Sequence, residues 1–335
     1  MNDNRLTRII EVDETTASQE IEGGVHIPVL VREVIRYLTP RDTGVYVDGT
    51  AGLGGHATHI LEESAPSGRL IGIDLDVDAL AISKTILCGF GERCTLIQGN
   101  YANLNEQLKT LSVGKLDGVL LDLGVSSLQV DTPSRGFSFS QSGKLDMRMD
   151  RNQPLSAAEV INDYCEHALT DIFLKFGEER WSKKIAYRIC RARQIKRITT
   201  TLQLAEIVEE ALPKSSYRGR IHPATRIFQA LRIHVNNELT NLETGLDAAV
   251  SCLKPGGRIC VISFHSLEDR IVKHRFRALS RACICPPSIP KCVCRHTPSL
   301  QILTKRPISP TVEEIERNPR SRSAKLRVAV KIRES

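Results

Sequence analysis

Three aspartates, each ending an apolar run, and one glycine-rich turn are the residues of this chain best placed to do chemistry. Asp48 closes Val45-Tyr46-Val47-Asp48 and is followed at once by Gly49-Thr50-Ala51-Gly52-Leu53-Gly54-Gly55-His56. Glycines let a backbone turn tightly and approach a ligand, and a helix starting after them presents free N–H groups. The spacing is not the Gly-x-Gly-x-x-Gly of dinucleotide sites, which disfavours a nicotinamide-dependent oxidoreductase. It favours a cofactor without a pyrophosphate, such as S-adenosylmethionine, whose amino-acid moiety would lie over the turn. An acidic residue should then end the second strand to bind ribose hydroxyls, and Asp74 in Ile71-Gly72-Ile73-Asp74 stands there. Asp76 reads as the N-cap of the next helix, a local role that needs no ligand. Tyr101, after Gln98-Gly99-Asn100, is a candidate for packing on the adenine, the alternative being an exposed loop tyrosine. Asp122 ends Val119-Leu120-Leu121. A carboxylate there is costly to bury without a partner, so it reads as functional, and Gln129 follows within reach.

These residues need a frame that brings strand ends together. Val29, Leu30, Val34, Ile35 and Leu38 recur at helical spacing before Pro40. Strands are then expected at Val45–Asp48, Leu70–Asp74, Cys94–Gln98 and Gly118–Leu123, alternating with helices at Gly55–Glu63, Val77–Leu87 and Leu104–Leu111. Such alternation makes βαβ units, hence an α/β, Rossmann-like fold with a mostly parallel sheet and helices on both faces. After Leu123 a Gly/Ser-rich stretch leads into helix-forming sequence from Ser156 to Leu212, read as an inserted helical domain. The core resumes with a helix at Glu238–Leu253, a turn at Lys254–Gly257 and a strand at Arg258–Ser263. Two more strands are expected at Gln301–Thr304 and Leu326–Ile332, the last as a half-exposed antiparallel edge strand. Domain limits are set at 1–25 for a flexible tail, 26–132 with 234–335 for the core, and 133–233 for the insert.

The 335 residues are 41% hydrophobic and 25% charged, enough for a sizeable core. A net charge of +7 leans toward polyanionic partners. Basic residues crowd Arg180–Arg197 (Arg180, Lys183, Lys184, Arg188, Arg191, Arg193, Lys196, Arg197) and Arg270–Arg333. No apolar stretch is long enough to span a membrane, and the polar, partly acidic N-terminus does not read as a signal or transit peptide. A cytoplasmic protein with reduced thiols is expected. Cys283-x-Cys285 and Cys292-x-Cys294 form a four-thiol constellation. Structural zinc sites usually separate paired cysteines by two or more residues, so ordinary thiols and no metal are expected.

Eight segments in order closely resemble the RsmH (MraW) family: His26-Ile27-Pro28-Val29-Leu30, Asp48 to His56, Asp122-Leu123-Gly124-Val125-Ser126-Ser127, Arg135-Gly136-Phe137-Ser138-Phe139, Leu145 to Asp150, Gly177-Glu178-Glu179-Arg180, His222-Pro223-Ala224-Thr225-Arg226 and Ser263 to Arg270. The resemblance runs from His26 to Ile332. It implies a class I methyltransferase core with a seven-stranded sheet and a helical insert. It also implies methyl transfer from S-adenosylmethionine to N4 of a cytidine in 16S ribosomal RNA, at the decoding centre (P site) of the small subunit or a late assembly intermediate. The family's cofactor contacts fall on Gly54, Gly55, His56, Asp74, Tyr101, Asp122 and Gln129. An exocyclic amine is a poor nucleophile, so a residue accepting a hydrogen bond from N4–H would help; Asp122 leads as that acceptor, with Asp146 and His265 behind it. Many amino methyltransferases carry Asp/Asn-Pro-Pro-aromatic here, whereas this chain has Asp122-Leu123-Gly124-Val125. Phe137, Phe139 and Phe264 are candidates for stacking on a flipped base, and the run His222–Glu238 for a substrate wall. A non-catalytic RNA-binding assembly factor is the competing reading, and a homodimer is left open.

Overall fold

The computed structural model describes residues 8–9, 27–213, 222–283, 285, 291, 293–294 and 297–333. Two compact units emerge, one joining Met1–Gly124 to Leu239–Ser335 and the other formed by Val125–Glu238.

The first unit is a twisted sheet with helices on both faces. Along the chain come β1 (Arg8–Ile9), α1 (Val31–Leu38), β2 (Val45–Asp48), α2 (Gly55–Glu63), β3 (Arg69–Asp74), α3 (Val77–Leu87), β4 (Cys94–Gln98), α4 (Leu104–Thr110) and β5 (Leu116–Asp122). The strand order is β1-β4-β3-β2-β5, continued after the second unit by β6 (Leu253–Ser263), then β8 (Lys325–Lys331) and β7 (Leu300–Ile302). Strands β4, β3, β2, β5 and β6 run parallel, and β1, β8 and β7 are antiparallel to their neighbours. The expected seven strands are present, and the two-residue β1 makes an eighth at the edge. β1 lies in the segment expected to be a tail without structure; the other residues of that segment, like His26, fall outside the described ones.

Period-two alternation sorts the strand side chains between two cores. Val47, Val119, Leu121, Ile259 and Val261 face the layer that contains α4 together with α11 (Glu238–Cys252) and α12 (Ser266–Ser280). Tyr46, Leu120, Cys260 and Ile262 face the layer of α1, α2 and α3. β6 pairs with β5 at Leu253, loops out through Lys254–Gly257 with Gly256 at φ 83°, and resumes at Arg258 opposite Gly118. A short helix, α13 (Val312–Arg317), precedes β8.

β8 corrects the expectation of a half-exposed edge strand: it lies between β6 and β7 and is buried on both sides. Its charges misled the reading. The Lys331 ammonium is buried and donates to the Val250 carbonyl at 2.7 Å, while Arg327 forms a two-pronged pair with Asp269 at 2.7 and 3.1 Å.

In the second unit, α5 (Ser127–Asp131) and the loop after it lead to α6 (Ala157–Asp163), α7 (Glu166–Gly177), α8 (Ser182–Ile195), α9 (Thr201–Ala211) and α10 (Ala224–Val235). Capping boxes start three of these helices, at Ser126, Ser156 and Thr200. The helices enclose their own apolar core, which includes Val160, Phe173, Ile185, Leu204 and Leu231. Among the described residues no helix is long and apolar enough to cross a membrane.

Candidate active site at the carboxyl edge of the sheet

Strand order reverses between β2 and β5, because β2 has β3 on one side and β5 on the other. Open α/β sheets bind ligands in the crevice at the carboxyl end of such a switch point. Asp48 and Asp122 end the two strands that flank it, and Asp74 ends the next.

The turn after β2 is built from backbone hydrogen bonds. Gly49 N–H donates to Leu120 O at 2.9 Å, Ala51 N–H to Ile73 O at 2.9 Å, and Gly52 N–H to Asp74 Oδ2 at 2.8 Å. Gly54 adopts φ 88° at the N-cap of α2, a conformation open to glycine at little cost, and a Cβ on Gly55 would strike the ring of Pro28. Asp74 Oδ1 accepts from Asp76 N–H at 2.9 Å, so both its oxygens brace the loop while keeping lone pairs for a hydroxyl donor. Asp76 caps α3 through Asp78 N–H.

Asp48 is enclosed, and its Oδ1 accepts from Thr50 N–H at 3.1 Å. Burial lifts its carboxyl to about 6, against the pull of His56 and the Thr50 N–H. Burial likewise raises Asp74 to about 6, against the N–H groups of Asp76 and Gly52. The Thr50 hydroxyl accepts the backbone N–H of Asp122 at 2.6 Å, which ties the β2 turn to the end of β5. Thr50 escaped the sequence reading, where nothing distinguishes it from an ordinary turn threonine.

His56, on the first turn of α2, places Nε2 3.5 Å from Asp122 Oδ2. Among the described residues neither His56 Nε2 nor Asp122 Oδ1, both buried atoms, makes a hydrogen bond. Burial lowers the proton affinity of the imidazole, yet the Asp122 carboxylate, with Asp48 and Glu314 beyond it, leaves His56 above the ordinary histidine value. Tyr101 packs against α11: a Cβ on Gly245 would come within 2.5 Å of its Cε2. The edge therefore offers glycine backbone, three carboxylates and unsatisfied buried polar atoms. That set fits S-adenosylmethionine, whose ammonium and sulfonium are cationic.

Both weaker catalytic candidates have local partners, although the buried Nε2 of His265 makes no hydrogen bond among the described residues. Asp146 is held by Arg148, whose Nε and a terminal nitrogen each reach one oxygen at 2.8 Å. Despite the cost of burial, that guanidinium keeps Asp146 below the ordinary aspartate value, which makes it a poor proton acceptor. His265 is the N-cap of α12, its Nδ1 accepting from Glu268 N–H at 3.4 Å. Glu268, unremarked in the sequence although the His-x-x-Glu spacing is that of a capping box, accepts in turn from Phe264 N–H at 2.8 Å. Phe264 packs on the α1–α3 side of the sheet.

Within the helical unit, Gln129 is buried on α5, its Oε1 accepting from Ser126 N–H at 3.2 Å. Phe139 meets Phe228 edge-on with ring centroids 4.8 Å apart, and Phe137 packs on the same core. Much of the His222–Glu238 run holds this unit together: Arg232 pairs with Glu238 at 2.8 and 2.9 Å, Asn236 donates to Met147 O, and Gln229 to Phe176 O. The basic cluster divides. Arg193 caps the carbonyls of Ile161 and Tyr164, and Arg197 pairs with Asp163. Lys183, Lys184, Arg188 and Arg191 line an exposed face of α8 together with Tyr187, and Arg180 and Lys184 lie over the Trp181 ring.

Residues 24–332 match the MraW methylase family. The "Ribosomal RNA small subunit methyltransferase H" of Trichlorobacter lovleyi is 55% identical over 307 residues, covering 92% of this chain and 98% of that protein. The proteins of the same name from Pelobacter propionicus and Geobacter sulfurreducens are each 52% identical, over 311 and 307 residues, covering 92% of this chain and 99% of theirs. With the glycine turn and its carboxylates at the switch point, this chain is an S-adenosylmethionine-dependent methyltransferase that belongs to the MraW methylase family.

Proposed function

We propose that this enzyme methylates N4 of a cytidine in 16S ribosomal RNA, at the P site of the small subunit or of a late assembly intermediate. The names of the relatives support a small-subunit ribosomal RNA substrate. The observation that carries the amino-group chemistry is Asp122 Oδ1, a buried acceptor at the carboxyl end of β5 that makes no hydrogen bond among the described residues. In this reading Oδ1 accepts one N4–H of the cytosine. That interaction draws the nitrogen toward tetrahedral geometry, frees its lone pair and orients it. The Thr50 hydroxyl fixes the backbone from which Asp122 acts. His56, held above its ordinary proton affinity by the Asp122 and Asp48 carboxylates, stands 3.5 Å from the other oxygen, Asp122 Oδ2. Gly54, Gly55, His56, Asp74 and Tyr101 hold the methyl donor, which when bound supplies an electrophilic methyl on a good leaving group. No general base needs to act before methyl transfer: the N4–C bond forms as the S–C bond breaks, S-adenosylhomocysteine leaves, and the now cationic nitrogen sheds its proton to solvent. The helical unit reads RNA phosphates through the exposed basic face of α8.

The test is transfer of radiolabelled methyl to small subunits lacking the modification, followed by nucleoside analysis, with Asp122→Ala alongside. N4-methylcytidine formed by the wild type, with Asp122→Ala, which has no acceptor, reduced at least about 100-fold while still binding donor, is the expected result. Label in another nucleoside would refute the position. Donor binding without transfer to any RNA would favour the assembly-factor reading.

A further inference from the structure

The connection from α12 to β7 runs from Arg281 to Ser299, and its described residues form no helix or strand. Connections longer than about 12–15 residues without secondary structure are uncommon inside compact domains unless something functional or covalent holds them. Its base is closed by Ser299 N–H donating to Leu279 O at 2.9 Å. Beyond that base, the Sγ atoms of Cys283, Cys285 and Cys294 all lie within 4.8 Å of one another. Cys283 and Cys294 bring their sulfurs to 3.8 Å. Tetrahedral zinc, with Zn–S bonds of about 2.3 Å, sets neighbouring sulfurs about 3.8 Å apart.

We infer that Cys283, Cys285 and Cys294 are ligands of a structural zinc ion that staples this connection, a site separate from the methyl-transfer edge. The one-residue spacing within each Cys-x-Cys pair argues against metal in the sequence, and the local fold removes the objection. Cys285 N–H donates to Cys283 Sγ at 3.4 Å, so these two thiols share one small site despite the short spacing. Val293 N–H donates to Cys285 Sγ at 3.4 Å, which holds the residue before Cys294 against the first pair. Backbone N–H groups aimed at sulfur stabilise thiolate and orient it, as outer-shell donors do in metal sites. A set of thiolates selects zinc over the hard cations, which prefer oxygen. The sequence carries a fourth thiol, Cys292, which lies outside the described residues; the inference rests on the three that are described. Binding exchanges the thiol protons for the metal and releases them to solvent, so affinity weakens as pH falls.

The full-length wild type, produced in zinc-supplemented medium and purified without chelator, is expected to carry about one zinc per chain by elemental analysis. Replacing that ion with cobalt(II) should give the intense visible absorption of tetrahedral thiolate coordination. The Cys283→Ser/Cys294→Ser chain should lose both signals and be cut by protease between Arg281 and Ser299, while keeping its donor affinity. The cobalt titration of the wild type decides the matter even if that variant fails to fold. Background zinc in the wild type with no cobalt spectrum would overturn the inference, as would a Cys283–Cys294 disulfide in protein alkylated at lysis.

Discussion

Gly245→Ala asks whether the Tyr101 ring faces the methyl donor. Gly245 sits on α11, and the added Cβ would lie 2.5 Å from Tyr101 Cε2 and closer still to Cδ2. Carbon atoms in ordinary contact are about 3.5–4.0 Å apart, so the ring must retreat by about 1 Å or more. Its backbone cannot simply follow. Asn100 caps the turn by accepting Ala102 N–H at 2.9 Å, and Gly49 lies so close that a Cβ there would be 3.0 Å from Tyr101 Cβ. Overpacking of this kind costs about 1–3 kcal/mol. Charged to the donor-competent position of the ring, that is a loss of about 5- to 150-fold in affinity. Calorimetric titration with S-adenosylhomocysteine reads it directly, with thermal unfolding run in parallel. In a Tyr101→Ala background no ring remains to displace, and adding Gly245→Ala should leave affinity unchanged. A Gly245→Ala chain that unfolds earlier yet binds within about twofold of the wild type would refute the placement of Tyr101 at the donor.

Four further outcomes are expected. Burial lifts Asp48 and Asp74 to about 6 from 3.8, so between those values the folded chain holds more protons than the unfolded one, and stability should fall as pH rises from about 4 to about 6. Over the same range the carboxylates ionise and affinity for the cationic donor should climb, by about tenfold from pH 5 to pH 8 for one group; equal calorimetric affinity at both pH values would sink the idea. Alanine at Lys183, Lys184, Arg188 and Arg191 together should weaken binding to small-subunit RNA and flatten its salt dependence by about 0.7–0.9 in log–log slope for each phosphate no longer neutralised, and an unchanged slope would exonerate this face of α8. Arg327→Met leaves Asp269, among the described residues, with Lys325 at 3.9 Å as its remaining cation, and should cost about 3 kcal/mol in urea unfolding, whereas less than about 1 kcal/mol would mark the pair as solvent-screened.

The frame of the site was legible because strand ends leave a chemical mark. A carboxylate closing an apolar run is visible at Asp48, Asp74 and Asp122, and each ends its strand at the carboxyl edge. What escaped the sequence depends on the meeting of distant segments. Thr50 matters because β5 brings Asp122 N–H to its hydroxyl, and Gly245 because α11 passes the Tyr101 ring. Charge was the commonest source of error. Arg327 and Lys331 read as the wet face of an edge strand, yet a carboxylate and a carbonyl receive them inside the sheet. Asp146 and His265, ranked behind Asp122 as acceptors for the N4–H, have local partners that only the fold brings to them. A bidentate arginine and a helix cap account for where their side chains go.

The strand that carries Asp122 also dictates an order of events on the ribosome. Its two neighbours are β2, already made, and β6, which ends at Ser263. Synthesis of the intervening chain takes about 7–28 s at about 5–20 residues per second. Through that interval one rim of β5 has no partner, and an unpaired apolar strand is a template for wrong pairing. The helical unit, with a core of its own, can complete its fold while the rim waits. A nascent polypeptide stalled before Arg258 should therefore yield a protease-resistant helical fragment beside a half-sheet that still needs a chaperone.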